Sequence, residues 1–224
     1  MEYNIEDRIA VVRENIARAS SGRSVTLVGV AKTKPPELVR RAIAAGLGVI
    51  GENYVQELRE KSAAGAYEGA RVHMIGHLQT NKVKYVVGQV ELIESVDSAA
   101  LLQAVAKRAS SLGVTQDVLI EVNIGGEPSK SGILPEALDE LLSAAGGLAG
   151  VRVRGLMTIP PAEHSATYFR RMYDLFIDNK EKKYDNVIMD FLSMGMSDDY
   201  EAAIKEGANM IRVGSFIFGP RNYT

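Results

Sequence analysis

The sequence predicts an α/β fold, a single (β/α)8 TIM barrel. Three observations carry this: eight short apolar runs, helix-length amphipathic segments between them, and connections of only a few residues. Regular alternation argues for a parallel sheet, and eight units within 224 residues argue for a closed barrel slightly shorter than usual. An open doubly wound sheet of seven or eight strands is the competing arrangement. No linker or shift of composition divides the chain, so residues 1–224 read as one domain.

Residues 4–19 read as an amphipathic helix, with Ile5, Ile9, Val12 and Ile16 on one stripe and Asn4 as its cap. Val25 to Ala31 is the first strand, an apolar, β-branched run. Pro35 and Pro36 then suit the first turn of a helix reaching about Ala45. Gly48 to Gly51 is a short second strand. Asn53, with Gln56 three residues on, is a capping-box pattern for the next helix. Arg71 to Ile75 is the third strand, and Thr80 or Asn81 opens another helix. Val90 to Val96 is the fourth, and Ser98 caps a helix bearing Leu101, Leu102, Val105, Ala109 and Leu112. Asp117 to Ile124 is the fifth strand, followed by a polar loop, Gly125 to Gly132, and a helix from Pro135 to about Ala145. Val151 to Met157 is the sixth. A helix from His164 to about Asn179 buries Phe169, Met172, Leu175 and Phe176, and Lys180 to Lys183 is a solvated charge run. Val187 to Ser193, a short helix from Asp198 to Glu206, and Asn209 to Val213 complete the set. The chain stops at Thr224, leaving little room for an eighth helix. The extra amino-terminal helix is therefore expected to cover that flank.

Composition narrows the function. The formal charge is -2, so no charge excess points to nucleic acid or an anionic membrane. The absence of cysteine excludes disulfides, cysteine nucleophiles and thiolate metal sites, and fits a reducing cytosol. The acidic amino terminus is no signal peptide, and no uncharged apolar run approaches the roughly 18 residues needed to cross a bilayer. A cytoplasmic protein is expected.

Strand alternation places Val28, Val30 and Lys32 on one face, and Leu27, Gly29 and Ala31 on the other. Lys32 thus ends an inward row at the carboxyl end of a strand, where barrel active sites lie. Two readings stand: a desolvated amine able to form a Schiff base with an aldehyde, or a lysine snorkelling into water. Lys34, beside Pro35, is expected to be solvated. After strand seven, Ser197 stands just ahead of a helix and either offers its hydroxyl to an anion or only caps that helix. Asp198 and Asp199 favour the capping role, since they complement the helix dipole. Met210, Arg212 and Gly214 share a face; Gly214 either admits a phosphate to the backbone or only turns the chain. Arg212, at the end of an inward row, requires a partner. His73, His77 and His164 lack metal-site spacing, so no metal is expected. Asn53 reads as a helix cap or a ligand contact.

Lys32 in Val-Ala-Lys-Thr-Lys-Pro, Gly51-Glu-Asn53, His73 to Lys82 (His-Met-Ile-Gly-His-Leu-Gln-Thr-Asn-Lys), Gly155-Leu-Met157, Ser193 to Asp198, and Ile211 to Gly219 occur in this order. Together they resemble the pyridoxal phosphate homeostasis protein family, whose barrel is similar to the amino-terminal domain of alanine racemase. The resemblance spans nearly the whole chain. It implies that Lys32 holds pyridoxal 5'-phosphate (PLP) as an internal aldimine and that Arg212 faces the pyridine nitrogen. Ser197, Gly214 and Ser215 would hold the phosphate, and Asn53 and Met157 would line the ring. The loop at 126–132 matches the family's strand-five loop, with Lys130 as a secondary, transient contact. Residues 162–183 match least well.

The resemblance leaves carrier and enzyme to be weighed. A permanently protonated arginine opposite the ring leaves its nitrogen unprotonated, a poorer electron sink for carbanion chemistry. Racemases that resemble this barrel add a second, β-rich domain, for which nothing after Thr224 provides. A non-enzymatic carrier that delivers PLP, partnered by PLP-requiring apoenzymes and leaning monomeric, is the expectation. The alternatives are a PLP-dependent amino-acid racemase and a cofactor-free barrel enzyme using Lys32 on a phosphorylated sugar.

Overall fold

Eight parallel strands close on one another in sequence order, the last pairing with the first. The computed structural model describes residues 4–163 and 165–220. The strands are β1 (Thr26–Val30), β2 (Val49–Glu52), β3 (Arg71–Met74), β4 (Leu92–Val96), β5 (Gln116–Glu121), β6 (Val151–Met157), β7 (Val187–Ser193) and β8 (Met210–Val213). The helices are α1 (Ile5–Ser20), α2 (Pro36–Ala44), α3 (Val55–Ala63), α4 (Ala99–Leu112), α5 (Leu138–Gly146), α6 (Ser165–Lys180), α7 (Tyr200–Lys205) and α8 (Ser215–Phe218). β6 and β7 have the expected bounds, and the closed barrel displaces the open-sheet alternative. No described helix is long and apolar enough to cross a membrane.

Alternation sorts the core into two layers. Val28, Val30, Val49, Leu92, Leu119, Met157 and Met210 pack inside the barrel. Ala31, Ile50, Ile93, Ile120 and Ile211 face outward beneath the helices. The carboxyl end of β1 therefore carries its inward row up to Lys32, as the sequence pattern requires.

The caps follow local chemistry. Asn4 Oδ1 accepts from the Glu6 N–H at 3.0 Å, and Ser98 Oγ accepts from the Leu101 N–H at 3.3 Å. α1 packs on α7, α8 and α2, and so covers the flank beside β8. Three expectations need correction. The segment after β3 is a 3-10 helix, Thr80–Tyr85, rather than an α-helix. β8 is followed by a helix after all, the single turn of α8. Asn53 and Gln56 form no capping box: α3 has Tyr54 at its N-cap with no side-chain bond, and Gln56 Nε2 instead donates to Glu60 Oε1 at 2.6 Å. The expected start of α6, His164, lies outside the described residues, as does the chain end at Thr224.

Candidate functional site

The turn that presents Lys32 is strained and clamped. Thr33 has φ 62°, a left-handed conformation that β-branched residues avoid. α3 grips both sides of Lys32. Lys61 Nζ donates to the Ala31 carbonyl at 2.7 Å, and the Thr33 N–H donates to Glu57 Oε2 at 2.7 Å. Lys61 also reaches Glu52 at 2.8 Å and Glu57 at 2.9 Å. The Tyr67 hydroxyl donates to the same Glu52 oxygen at 3.0 Å. Lys61 and Glu52 are buried, and burial pushes the Glu52 carboxyl above its ordinary range despite Lys61.

A cavity of about 240 Å³ opens at the carboxyl rim, and Lys32, Ser197, Arg212, Gly214 and Ser215 all line it. Lys34 and Asp198 line it too, so three cations face one carboxylate and the cavity suits an anion. Lys34 is half-buried rather than simply solvated. Its ammonium donates to the Pro220 carbonyl at 2.7 Å, and burial lowers its pKa. Ser197 does not cap α7, because its Oγ accepts from the Gly214 N–H at 3.2 Å and the Phe216 N–H at 3.5 Å. Gly214 needs no glycine for its turn, with φ -114°. An added Cβ would instead come within 3.2 Å of the Val30 Cβ, so the backbone packs tightly against β1 there.

Two expected residues lie elsewhere. Met157 is fully buried inside the barrel. Asn53 borders the neighbouring cleft with Tyr54, Arg59 and His77, and its buried Oδ1 has no hydrogen-bond partner. Lys130 pairs with Glu127 at 2.5 Å and does not line the cavity. Among the described residues no three of His, Cys, Asp and Glu gather as a metal cluster.

Arg212 ends the inward row of β8 and is buried. Its Nη1 donates to Ser193 Oγ at 2.6 Å and its Nη2 to the Thr158 carbonyl at 2.8 Å. Ser193 Oγ in turn donates to Glu94 Oε2 at 2.6 Å, and Glu94 Oε1 lies 2.7 Å from His73 Nδ1. His73 Nε2 is 3.4 Å from Glu91 Oε2. Burial alone would lower the His73 pKa, but hydrogen bonds to Glu91 and Glu94 hold it above its usual value. Burial works against the Glu94 carboxylate, yet His73 and Arg212 hold it below the ordinary range. Burial also lowers Arg212, opposed by Glu94, Glu121 and Asp199. Glu121, at the end of β5, is pushed up to about 7 by burial and by Asp97.

Sequence reading missed Glu52, Lys61, Glu94, Ser193 and Glu121 as parts of this rim. The available signal was a carboxylate inside an otherwise apolar run: Glu94 in Leu-Ile-Glu-Ser-Val and Glu121 in Val-Leu-Ile-Glu-Val. Charges so placed require buried partners.

Comparison with known proteins adds relatives to this geometry. The family model described as "Alanine racemase, N-terminal domain" matches residues 5–222. The chain is 45% identical over 229 residues to the pyridoxal phosphate homeostasis protein of Aquifex aeolicus, covering 98% of this chain and 100% of that one. It is 38% identical over 235 residues to the protein of the same name from Escherichia coli strain K12, covering 99% and 98%. The solved structure of PipY from Synechococcus elongatus with PLP bound superposes with a TM-score of 0.86 at 32% identity, covering 96% of this chain and 100% of PipY.

Proposed function

The chain belongs to the pyridoxal phosphate homeostasis protein family, built on the alanine racemase N-terminal-domain barrel, and on that premise we propose that it binds PLP and serves intracellular PLP homeostasis. The observation that carries the proposal is the meeting of Lys32, Arg212, Ser197, Gly214 and Ser215 on one cavity at the carboxyl rim. The donor set fits the group: an amine for an aldehyde, a guanidinium for a ring nitrogen, and hydroxyl and cationic groups for a phosphate. When bound, the cofactor would supply an aldehyde as the electrophile for the Lys32 amine. Lys32 is the attachment point, held by the clamp on Ala31 and Thr33. Arg212 is the donor to the ring nitrogen, and Ser197, Gly214 and Ser215 the phosphate contacts. Asn53 is the ring contact from the β2 side, its unpartnered Oδ1 leaving an acceptor to be satisfied. Met157, fully buried within the barrel and absent from the cavity lining, would support the ring only indirectly, from below.

The role is holding and delivery rather than turnover. An always-protonated arginine opposite the ring nitrogen weakens the ring as an electron sink. The relatives named above carry a homeostasis name rather than an enzyme's. We read the protein as a cytoplasmic, monomeric, single-domain carrier that hands PLP to apoenzymes requiring it. Purified protein incubated with PLP should develop the absorbance band of a lysine-bound cofactor. Lys32→Ala should abolish that band, and an unchanged band would remove the assignment.

A further inference from the structure

The cavity is served from behind by residues that do not touch it. Arg212 offers five N–H donors in a rigid plane. Two of its nitrogens are committed at the rear, to Ser193 Oγ and to the Thr158 carbonyl, so the plane has one orientation. Ser193 has a single hydroxyl hydrogen. An ionised Glu94 can only accept, so that hydrogen goes to Glu94 Oε2 and a Ser193 lone pair is turned toward Arg212. Glu94 in turn sits fully buried, where a lone carboxylate would be neutralised, and His73 Nδ1 at 2.7 Å supplies the counter-charge. β3, β4, β7 and β8 thus each place one side chain on a continuous chain of polar contacts through the barrel interior.

We propose that Glu94 is the positioning residue of this pocket: through Ser193 it orients Arg212 toward the ring nitrogen of the bound cofactor, with His73 as its counter-ion. The proposal rests on the PLP-binding reading above. Glu121 and Asp199 also pull electrostatically on Arg212, but no hydrogen bond joins either to it, so neither sets its plane.

The test compares two ligands and two backgrounds in the full-length protein. Dissociation constants are measured for PLP and for its 1-deaza analogue, in which carbon replaces the ring nitrogen. Glu94→Gln should weaken PLP binding by about tenfold, the scale of a misdirected charge-assisted hydrogen bond. Ser193→Ala, a smaller change that cuts the same relay, should do likewise and serves if Glu94→Gln fails to fold. Neither variant should shift affinity for the deaza analogue by more than about twofold, because that ligand has no nitrogen for Arg212 to meet. In an Arg212→Gln background, adding either substitution should change PLP affinity no further. Equal losses for both ligands, full additivity with Arg212→Gln, or no loss of PLP affinity would overturn the positioning role while leaving PLP binding intact. Failure of the unaltered chain to acquire a Lys32-dependent band would overturn the PLP reading and this inference with it.

Discussion

Replacing Lys61 with methionine tests whether the clamp behind Lys32 is a structural necessity. Lys61 is buried, and its ammonium meets the Ala31 carbonyl, Glu52 and Glu57 at 2.7, 2.8 and 2.9 Å. Methionine matches the stem in volume but removes the charge and all three donations. Glu52, with no solvent exposure, would keep only the Tyr67 hydroxyl at 3.0 Å, and its Oε2 has no partner even now. Removing one member of a buried pair is worth about 3–5 kcal/mol, and the stranded Ala31 carbonyl adds to the loss, so Lys61→Met should lose about 4 kcal/mol at pH 7. That is a large part of the roughly 5–15 kcal/mol that holds a domain folded.

Urea unfolding across pH gives the sign. Burial already raises Glu52, and without Lys61 it is raised further. A carboxyl raised in the folded state adds stability below its unfolded pKa and loses it as pH rises through the folded value. The Lys61→Met deficit should therefore be smaller at pH 5 than at pH 8. Glu52→Gln combined with Lys61→Met removes the orphaned charge and should recover at least half the loss. A deficit under about 1 kcal/mol, or a double variant no better than the single, would refute the claim that this ion pair is a dry, coupled unit.

Two further substitutions probe other parts of the barrel. Glu121, raised to about 7 by burial and Asp97, should lower stability as pH rises from 5 through 7. The full shift corresponds to about 3 kcal/mol across that window, and Glu121→Gln should flatten the pH dependence of Tm there. Gly155 lies at a register shift between β6 and β7, with φ 143°, and an added Cβ would overlap the Phe191 carbonyl oxygen. Gly155→Ala should lose about 3 kcal/mol or more in chemical unfolding, since backbone rather than a flexible side chain must move.

The barrel was legible because its signal is periodic. Inward and outward rows on β1 and β8 followed from alternation alone, and they delivered Lys32 and Arg212 to the same rim. The helix expected to open at Thr80 or Asn81 does start at Thr80, but as the 3-10 helix Thr80–Tyr85. The segment buries Val83 through tight turns, not through an i, i+4 stripe. The Asn53 capping box failed for a related reason: local spacing permits the bond, but the polypeptide turns one residue later, at Tyr54. Lys61 stands at i, i+4 from Glu57 on α3, a spacing that by itself suggests an exposed ion pair, and that pair does exist. Its burial comes from β2, through Glu52, and no local pattern in α3 reports a neighbour nine residues away.

The two cationic ends of the cavity share one construction. Lys32 is fixed from outside the barrel, by Glu52, Glu57 and Lys61 on β2 and α3; Arg212 is fixed from inside, by Ser193, Glu94 and His73. In both, a carboxylate with no solvent exposure stands behind a cation or the backbone next to one. Apolar residues of similar volume would often fold as stably, so such clusters are poor devices for stability alone. What they provide is orientation: few hydrogen-bond arrangements satisfy Glu94, Ser193 and Arg212 together, and few satisfy Ala31, Thr33, Glu57 and Lys61. If the cavity holds PLP as proposed, with its aldehyde at Lys32 and its ring nitrogen at Arg212, both ends need to be held, because a loose lysine or a turned guanidinium would lose affinity to conformational entropy on every binding event. The strain at Thr33 and the buried charges of Glu52 and Glu94 are the expected marks of that preorganisation.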